Sequence, residues 1–163
     1  MNKILRYGMV GGGPGSFIGD AHRRAIALDS TAQLVAGVFS SHPEKSPADG
    51  PGAGRGPGPL LCRICGVAEK EAARDDGIDF VVVVTPNVSH YEICKAFLNA
   101  GPIHVSCDKP VTVTYAQAAR TGAGLAAEKD RLFMVTYTYT GHGHHQIRTG
   151  SGDLRRHRVR SGP

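Results

Sequence analysis

The stretch that decides the fold runs from residue 3 to residue 19 and reads Lys-Ile-Leu-Arg-Tyr-Gly-Met-Val-Gly-Gly-Gly-Pro-Gly-Ser-Phe-Ile-Gly. Its first half, residues 3–10, is mostly apolar and predicts a β-strand. The glycines and the proline that follow cannot continue a β-ladder, so the strand ends in a tight turn. Residues 19–28 then predict a helix. That helix would place four apolar residues on one face, namely Ala21, Ala25, Ile26 and Leu28.

Strand and helix patterns continue to alternate as far as residue 137. Further strands are predicted at residues 33–39, 78–84, 103–107 and 132–137, and helices at residues 67–75, 89–99 and 115–129. The strand at 78–84 is apolar at almost every position, which is typical of a strand covered on both faces in a parallel sheet. We therefore predict an α/β fold with a doubly wound, mostly parallel sheet of the Rossmann type.

Polar, glycine-rich or charged segments follow the predicted strands. In open α/β sheets, ligands bind outside the carboxyl ends of the strands, which lie at one edge of the sheet. The segments that would gather there are residues 11–16, 40–42, 85–90, 107–110 and 137–140.

The glycines at positions 11, 12 and 13 stand between a strand and a helix, which is the context of a dinucleotide-binding turn. Glycine lets pyrophosphate oxygens approach the backbone, and the start of the helix offers free N–H groups and a partial positive charge. The spacing departs from G-x-G-x-x-G, and an insertion of three residues would make Gly19 the third glycine. An ordinary glycine-rich turn is the alternative.

The end of the second strand bears on the choice of cofactor. NAD-binding folds usually hold the ribose 2′-hydroxyl with an acid at this place. This chain has Ser40, Ser41 and His42 there, with Lys45 nearby and no acid before Glu44. Hydroxyls, His and Lys would accept a 2′-phosphate that a carboxylate repels. The pattern favours NADP over NAD, or the use of both, and a polar loop that touches no ribose is the alternative.

Two further segments place polar side chains at strand ends. Asp108-Lys109-Pro110 is a charged pair fixed by a proline. Lys109 would orient a hydroxyl, polarise it or relay its proton if burial lowers its pKa, and a surface ion pair is the alternative. The segment 85–90 has two interpretations. Asn87 or Ser89 caps the next helix, or the backbone of the segment lies against the ribose or nicotinamide of a cofactor.

The cysteines and histidines outside these segments predict no metal site. Cys62-Arg63-Ile64-Cys65 is the only C-x-x-C in the sequence and lies in an aperiodic stretch. The histidines at 142, 144 and 145 are clustered, but the chain has no second ligand pair at the spacing of a zinc finger. Cys94 and Cys107 are expected to be small buried hydrophobes.

Two segments interrupt the alternating pattern. Residues 47–66 contain ten Gly or Pro in twenty positions and predict a loop or disorder, and residues 142–163 predict an irregular basic tail. Both are rich in Gly, Pro, Arg and His, and reading-frame slips in a GC-rich gene are one hypothesis for them. We therefore assign residues 1–141 to one dinucleotide-binding domain.

Charge and hydropathy exclude several classes of protein. The net charge of +5 belongs mainly to residues 142–163, which hold five Arg and one acid, and this tail lacks the aromatic residues of a nucleic-acid module. The longest apolar run, residues 80–84, is too short to span a membrane, and the first residues do not resemble a signal peptide. We expect a cytoplasmic protein with reduced thiols that binds neither nucleic acid nor membrane.

Taken together, the motifs resemble one family. Gly11-x-Gly13, Gly19-x-x-His22, Thr85-Pro86-Asn87-x-x-His90 and Asp108-Lys109-Pro110 occur in this order at strand ends. They are similar to the amino-terminal nucleotide-binding domain of the Gfo/Idh/MocA family, which includes glucose–fructose oxidoreductase and inositol dehydrogenase. The resemblance covers residues 1–46 and 67–141, and the family's usual Glu-Lys-Pro is Asp-Lys-Pro here.

The resemblance implies an NAD(P)-dependent oxidoreductase that transfers a hydride to or from a carbinol carbon of a sugar or an inositol-like polyol. It implies that Lys109 is the catalytic residue, which contacts the reacting hydroxyl at the nicotinamide end and handles its proton, while Tyr137 meets the substrate. The implied cofactor-binding residues are Gly11, Gly13, Phe17 and Ile18 near the pyrophosphate and adenosine ribose, Ser40 and His42 near the adenosine 2′ position, Thr85, Pro86, Asn87 and His90 along the cleft, and Asp108 and Lys109 at the nicotinamide ribose.

The chain also departs from the family. The helix and the edge strand that the family has at residues 47–66 are expected to be missing, and the helix at 115–129 is weakened by Gly122 and Gly124. We also expect the second domain that would complete the substrate pocket to be absent. We therefore expect the chain alone to be inactive or weakly active. An exposed sheet edge would favour homo-oligomers. The alternative function is a non-catalytic nucleotide-binding or oligomerising module.

Overall fold

A computed structural model describes residues 3–39, 60–120, 126–127 and 129–141 of the 163-residue chain. Strands and helices alternate along these residues, with short 3₁₀ turns after β3 and β5. The elements are β1 (Leu5–Gly11), α1 (Phe17–Leu28), β2 (Ala32–Val38), α2 (Leu60–Ala72), β3 (Phe80–Val84), α3 (His90–Ala100), β4 (His104–Asp108), α4 (Tyr115–Arg120) and β5 (Phe133–Thr136).

The strands form one sheet in the order β2-β1-β3-β4-β5, and every adjacent pair is parallel. The predicted doubly wound α/β fold of the Rossmann type is therefore confirmed. From β1 the chain first moves outward to β2 and later returns to the other side of β1 to form β3. This reversal opens a crevice between the carboxyl ends of β1 and β3, where open α/β sheets bind their ligands.

Both faces of the sheet are covered, as the apolar run of β3 predicts. Val81 and Val83 point into the larger core cluster, where α2 and α3 contribute residues such as Ile64 and Phe97. Val82 and Val84 point into a smaller cluster on the opposite face, together with Tyr7, Met9 and the partly buried Ile26 of α1.

The buried face of α1 differs from the prediction. Ser16 caps the helix, and its hydroxyl oxygen accepts a hydrogen bond of 3.2 Å from Gly19 N–H. Gly19, His22, Arg23 and Ile26 are among the less exposed positions, and they follow the i, i+3, i+4, i+7 spacing of one helical face. Of the four apolar residues expected inside, Ala21, Ala25 and Leu28 are exposed. The prediction was wrong for these three residues because α1 packs on the sheet through Gly19, His22 and Arg23 as well as Ile26.

The segment predicted as loop or disorder is helical in its last part. Helix α2 begins at Leu60, so the prediction is wrong for residues 60–66, and the C-x-x-C falls in the first turns of this helix. The glycine and proline content that suggested a loop is concentrated before residue 60. Residues 40–59, including Ser40 and His42, and residues 142–163 lie outside the described part of the chain.

Within the described residues, β2 lies at one edge of the sheet and β5 at the other. Within the predicted helix at 115–129, the described residues Tyr115–Arg120 and 126–127 are helical, and residues 121–125 lie outside the described part of the chain. None of the helices among the described residues has the length and apolar character needed to cross a membrane.

Candidate functional site

A groove of about 660 Å³ lies at the carboxyl edge of the sheet, in the crevice between β1 and β3. Its walls come from the end of β1, the start of α1, the end of β2 and the turn after β3. The lining residues are Val10, Gly11, Gly12, Ser16, Phe17, Ile18, Val38, Phe39, Val84, Thr85, Pro86, Val88 and Ser89. Five of the residues assigned to a cofactor from the sequence resemblance line this groove, namely Gly11, Phe17, Ile18, Thr85 and Pro86.

The turn between β1 and α1 is held by direct backbone contact. A β-carbon on Gly19 would collide with the Cα atom of Gly12, and one on Gly12 would lie 3.0 Å from the Cα atom of Gly19. Arg23 fixes the same turn from the helix, because its Nη1 donates to the carbonyl oxygen of Gly12 over 2.7 Å. Gly19 is therefore the glycine that lets strand and helix approach, as the three-residue insertion predicted.

Gly13 brings the turn close to the end of β2. A β-carbon at this position would lie 2.5 Å from the carbonyl oxygen of Phe39, which is closer than real side chains tolerate. The bare backbone at Gly11 and Gly12 and the amino end of α1 line one wall of the groove, and Gly13 continues that turn beside Phe39. Glycine backbone beside the positive end of a helix is the arrangement that holds a pyrophosphate, so this wall fits a dinucleotide.

The turn after β3 forms the facing wall. The hydroxyl of Ser89 donates to the carbonyl oxygen of Pro86 over 2.7 Å and lies 2.8 Å from Thr85 Oγ1. Ser89 occupies the N-cap position of α3, but its side chain makes no capping hydrogen bond. Pro86 and Asn87 are exposed. The internal hydrogen bonds hold this turn in shape while leaving its outer surface open to the groove.

His90 does not line the cleft, which corrects the assignment made from the sequence resemblance. Its side chain is 1% exposed. Its Nδ1 lies 2.7 Å from the carbonyl oxygen of Pro110, and its Nε2 lies 2.7 Å from that of Thr85. The ring therefore connects the turn after β3 with the turn after β4 from beneath.

Asp108 is the last residue of β4 and Lys109 follows it, next to the turn after β3. Asp108 Oδ1 lies 3.9 Å from His22 Nε2, and both side chains are mostly buried. Burial lowers the pKa of His22, although the charge of Asp108 and its hydrogen bond oppose this. Lys109 is exposed, and the peptide bond between it and Pro110 is cis. Tyr137, beyond the end of β5, is also exposed.

Two residues of the site were missed from the sequence, namely Arg23, which holds the glycine turn, and Phe39, which closes the end of β2. Gly12 and His22 stand in motifs that the sequence analysis named, but their contacts with Gly19 and Asp108 were not predicted. The spacing of Gly19, His22 and Arg23 along one helical face is the signal that would have indicated Arg23. Among the described residues, no three His, Cys, Asp or Glu side chains cluster as metal ligands would.

Comparison with known proteins bears on this geometry. The family model GFO_IDH_MocA, described as an oxidoreductase family with an NAD-binding Rossmann fold, matches residues 5–137. The uncharacterized oxidoreductase YfiI of Bacillus subtilis (strain 168) is 41% identical over 142 residues, which cover 86% of this chain and 36% of that protein.

Two solved structures resemble the fold and contain bound cofactors. An inositol dehydrogenase homolog from Azotobacter vinelandii, complexed with NADH and myo-inositol, is 36% identical with a TM-score of 0.74 and covers 91% of this chain and 40% of that chain. Biliverdin reductase from Synechocystis sp. PCC 6803, in complex with biliverdin and NADP⁺, is 27% identical with a TM-score of 0.67 and covers 92% of this chain and 43% of that chain. The chain thus spans 36–43% of the length of these relatives.

Proposed function

Because this chain belongs to the Gfo/Idh/MocA oxidoreductase family and carries its NAD-binding Rossmann fold, we propose that residues 1–141 are the dinucleotide-binding domain of a polyol or sugar oxidoreductase. The observation that carries the proposal is the groove between β1 and β3. One of its walls is glycine backbone beside a helix start, and its position is the switch point of a parallel sheet.

The residues on the groove have distinct roles in this proposal. Gly11 and Gly13 let the pyrophosphate approach the backbone, and the amides of Phe17 and Ile18 at the start of α1 face its charge. Thr85 and Pro86 present the opposite wall to the cofactor, and Asn87 follows them in the same turn.

The nicotinamide end lies at the turn after β4 in this proposal. Asp108 accepts hydrogen bonds from the nicotinamide ribose, and Lys109 lies beside that ribose and the substrate. A bound nicotinamide supplies hydride acceptance or donation. Lys109 takes up or returns the proton of the substrate hydroxyl as the carbinol and carbonyl forms interconvert.

The substrate class follows from a relative. The homolog from Azotobacter vinelandii is complexed with myo-inositol, so a carbinol carbon of a cyclic polyol or sugar is the proposed site of hydride transfer. Lys109 and Tyr137 are exposed in this chain, and a second domain would cover them and complete the pocket. We therefore expect the 163-residue chain to bind dinucleotide but to turn over little or no polyol.

One titration separates this proposal from a non-catalytic module. NADH or NADPH fluorescence is followed as the purified chain is added, and myo-inositol and hexoses are then supplied with NAD⁺ or NADP⁺. Binding with little or no turnover is the expected result for the chain alone. Rapid polyol-dependent reduction would contradict the expected need for a second domain, and the absence of dinucleotide binding would overturn the proposal itself. Protein that binds dinucleotide but gains no activity when the remaining domain of a full-length relative is supplied would favour the non-catalytic module.

The proposal extends to cofactor choice, with NADP favoured over NAD. The support is the segment Ser40-Ser41-His42 after β2, which has no carboxylate to repel a 2′-phosphate. Ser40→Asp should weaken NADPH binding about tenfold, as roughly 1.4 kcal/mol of charge repulsion would, and should leave NADH binding little changed. Ser30→Asp adds the same charge at the opposite end of β2 and is the matched control. Equal affinities of Ser40→Asp and the parent chain for NADPH would remove Ser40 from the site.

A further inference from the structure

His90 makes two short contacts that a neutral imidazole cannot satisfy. Both partners, the carbonyl oxygens of Thr85 and Pro110, lie 2.7 Å away, and a carbonyl oxygen only accepts hydrogen bonds. Neutral imidazole has one N–H, so one contact would bring two lone pairs together. Imidazolium has two N–H groups and satisfies both carbonyl oxygens.

A charge buried to this extent needs a compensating partner. The side chain of Cys107 in β4 interacts with both His90 and Cys94 of α3. Burial lowers the pKa of His90, but the hydrogen bond and charge of Cys107, together with the two carbonyl oxygens, raise it to about 9. Conversely, the hydrogen bond from Cys94 and the contact with His90 lower the pKa of Cys107 to about 6, against burial and the charge of Asp108.

The proton of Cys107 has two competing destinations. As a thiol, which is a weak donor, Cys107 donates a hydrogen bond of 3.2 Å to the carbonyl oxygen of Asp108. If the proton resides on His90 instead, this weak bond is lost and the second 2.7 Å bond of the ring is gained. Cys94 then donates to the thiolate, and its own pKa is raised by that hydrogen bond and by burial. The geometry therefore favours the imidazolium–thiolate form.

His90 lies beside the ends of two strands, and this position gives the His90–Cys107 ion pair a structural role. The ladder between β3 and β4 ends at the pair Val83–Cys107, one residue before Asp108. Beyond that pair, His90 spans the two turns that follow the strands. We propose that His90 is a positioning residue, an imidazolium that clamps the turn after β3 to the turn after β4 and thereby holds Asp108 and Lys109 at the groove. Its effect on cofactor binding rests on the proposed function, whereas its charge and its clamping role do not.

The charge of the ring is tested by ¹⁵N NMR of the histidine side chains in the full chain. Both nitrogens of His90 should be protonated at pH 7.5 and remain so until the pH nears 9. His104 gives an internal reference, because its Nδ1 accepts from Leu132 N–H and must be unprotonated. In Cys107→Ser, which lacks the anion, His90 should lose its charge at a lower pH than in the parent chain. A neutral His90 ring in the parent chain at pH 7.5 would overturn the proposal.

The clamp is tested by His90→Gln, with His104→Gln as the matched control. His90→Gln should speed amide exchange in residues 108–111 and weaken NADH binding about tenfold, the effect expected when buried hydrogen bonds to a charged group are lost. His104→Gln should change neither. If His90→Gln does not fold, Cys107→Ser takes its place, since it removes the charge and leaves the ring. A folded His90→Gln chain with unchanged exchange in residues 108–111 would overturn the clamp. If the parent chain binds no NADH, the proposed function fails, and ring charge and amide exchange still decide the role of His90.

Discussion

Gly12 and Gly19 lie against each other so closely that a β-carbon on Gly19 would collide with the Cα atom of Gly12. The contact joins β1 to α1 without any side chain between them. It therefore sets the distance between the amino end of α1 and the sheet, and this distance shapes the groove wall that the two elements form.

Gly19→Ala should destabilise the chain by about 1–3 kcal/mol, because the added methyl group must push strand and helix apart. Urea unfolding followed by circular dichroism measures the change. Gly66→Ala is the control, since Gly66 lies within α2 and a β-carbon there meets nothing within 4 Å. That substitution should stabilise the chain by up to about 1 kcal/mol through helix propensity. Equal effects of the two substitutions would mean that the Gly12–Gly19 contact is not tight.

His22 should make the fold sensitive to mild acid. Burial lowers the pKa of His22 below its usual 6.5, so the unfolded chain binds a proton that the folded chain resists. Stability should therefore fall as the pH drops below 6.5. His22→Gln should flatten this dependence between pH 6.5 and 5, as measured by urea midpoints at each pH. Identical pH profiles for the parent and variant chains would show that His22 titrates as it does in the unfolded state.

Asp79 should contribute to stability at the amino ends of the strands, on the edge of the sheet away from the groove. Its carboxylate accepts from Arg6 N–H over 2.7 Å and from Lys3 Nζ over 2.6 Å. Burial opposes ionisation, but these bonds and the charges of Lys3 and Arg6 leave the pKa of Asp79 below its ordinary value. Asp79→Asn should cost about 1–2 kcal/mol at pH 7, mainly through the backbone bond, because Lys3 is exposed.

That difference should persist above pH 4 and vanish as the pH falls through the lowered pKa of Asp79, where the parent chain is protonated as well. Asp75→Asn removes the same charge at an exposed position and should change stability by less than about 0.5 kcal/mol. A loss of equal size in both variants would indicate a general charge effect instead of the specific bonds of Asp79.

The order of elements could be predicted from sequence because each strand carried its own local pattern. The run at 78–84 predicted a strand covered on both faces, and Val81 to Val84 do alternate between two core clusters. The polar segments at the strand ends likewise predicted the edge at which the groove lies. These features depend on short-range periodicity and on the parallel topology, which a single sequence displays.

Other features depend on contacts that no local pattern displays. The inward face of α1 is set by Gly19 and Arg23, which a search for apolar residues passes over. His90 stands in a turn motif that suggested a cofactor contact, but neighbouring strand ends enclose its ring. Cys94 and Cys107 are buried as expected, yet their contact with each other and with His90 joins α3 to β4. Such relationships arise only when distant segments meet.

The most direct test of the central claim is the affinity of the chain for NADH and NADPH before and after Gly13→Val. A β-carbon at Gly13 would lie 2.5 Å from the carbonyl oxygen of Phe39, so the turn must move and displace the groove wall that we propose faces the pyrophosphate. Gly66→Val introduces the same side chain in α2, away from the groove, and controls for folding. We predict dinucleotide binding by the parent and Gly66→Val chains and a loss of at least about tenfold in Gly13→Val. Unchanged affinity in a folded Gly13→Val chain would contradict the account.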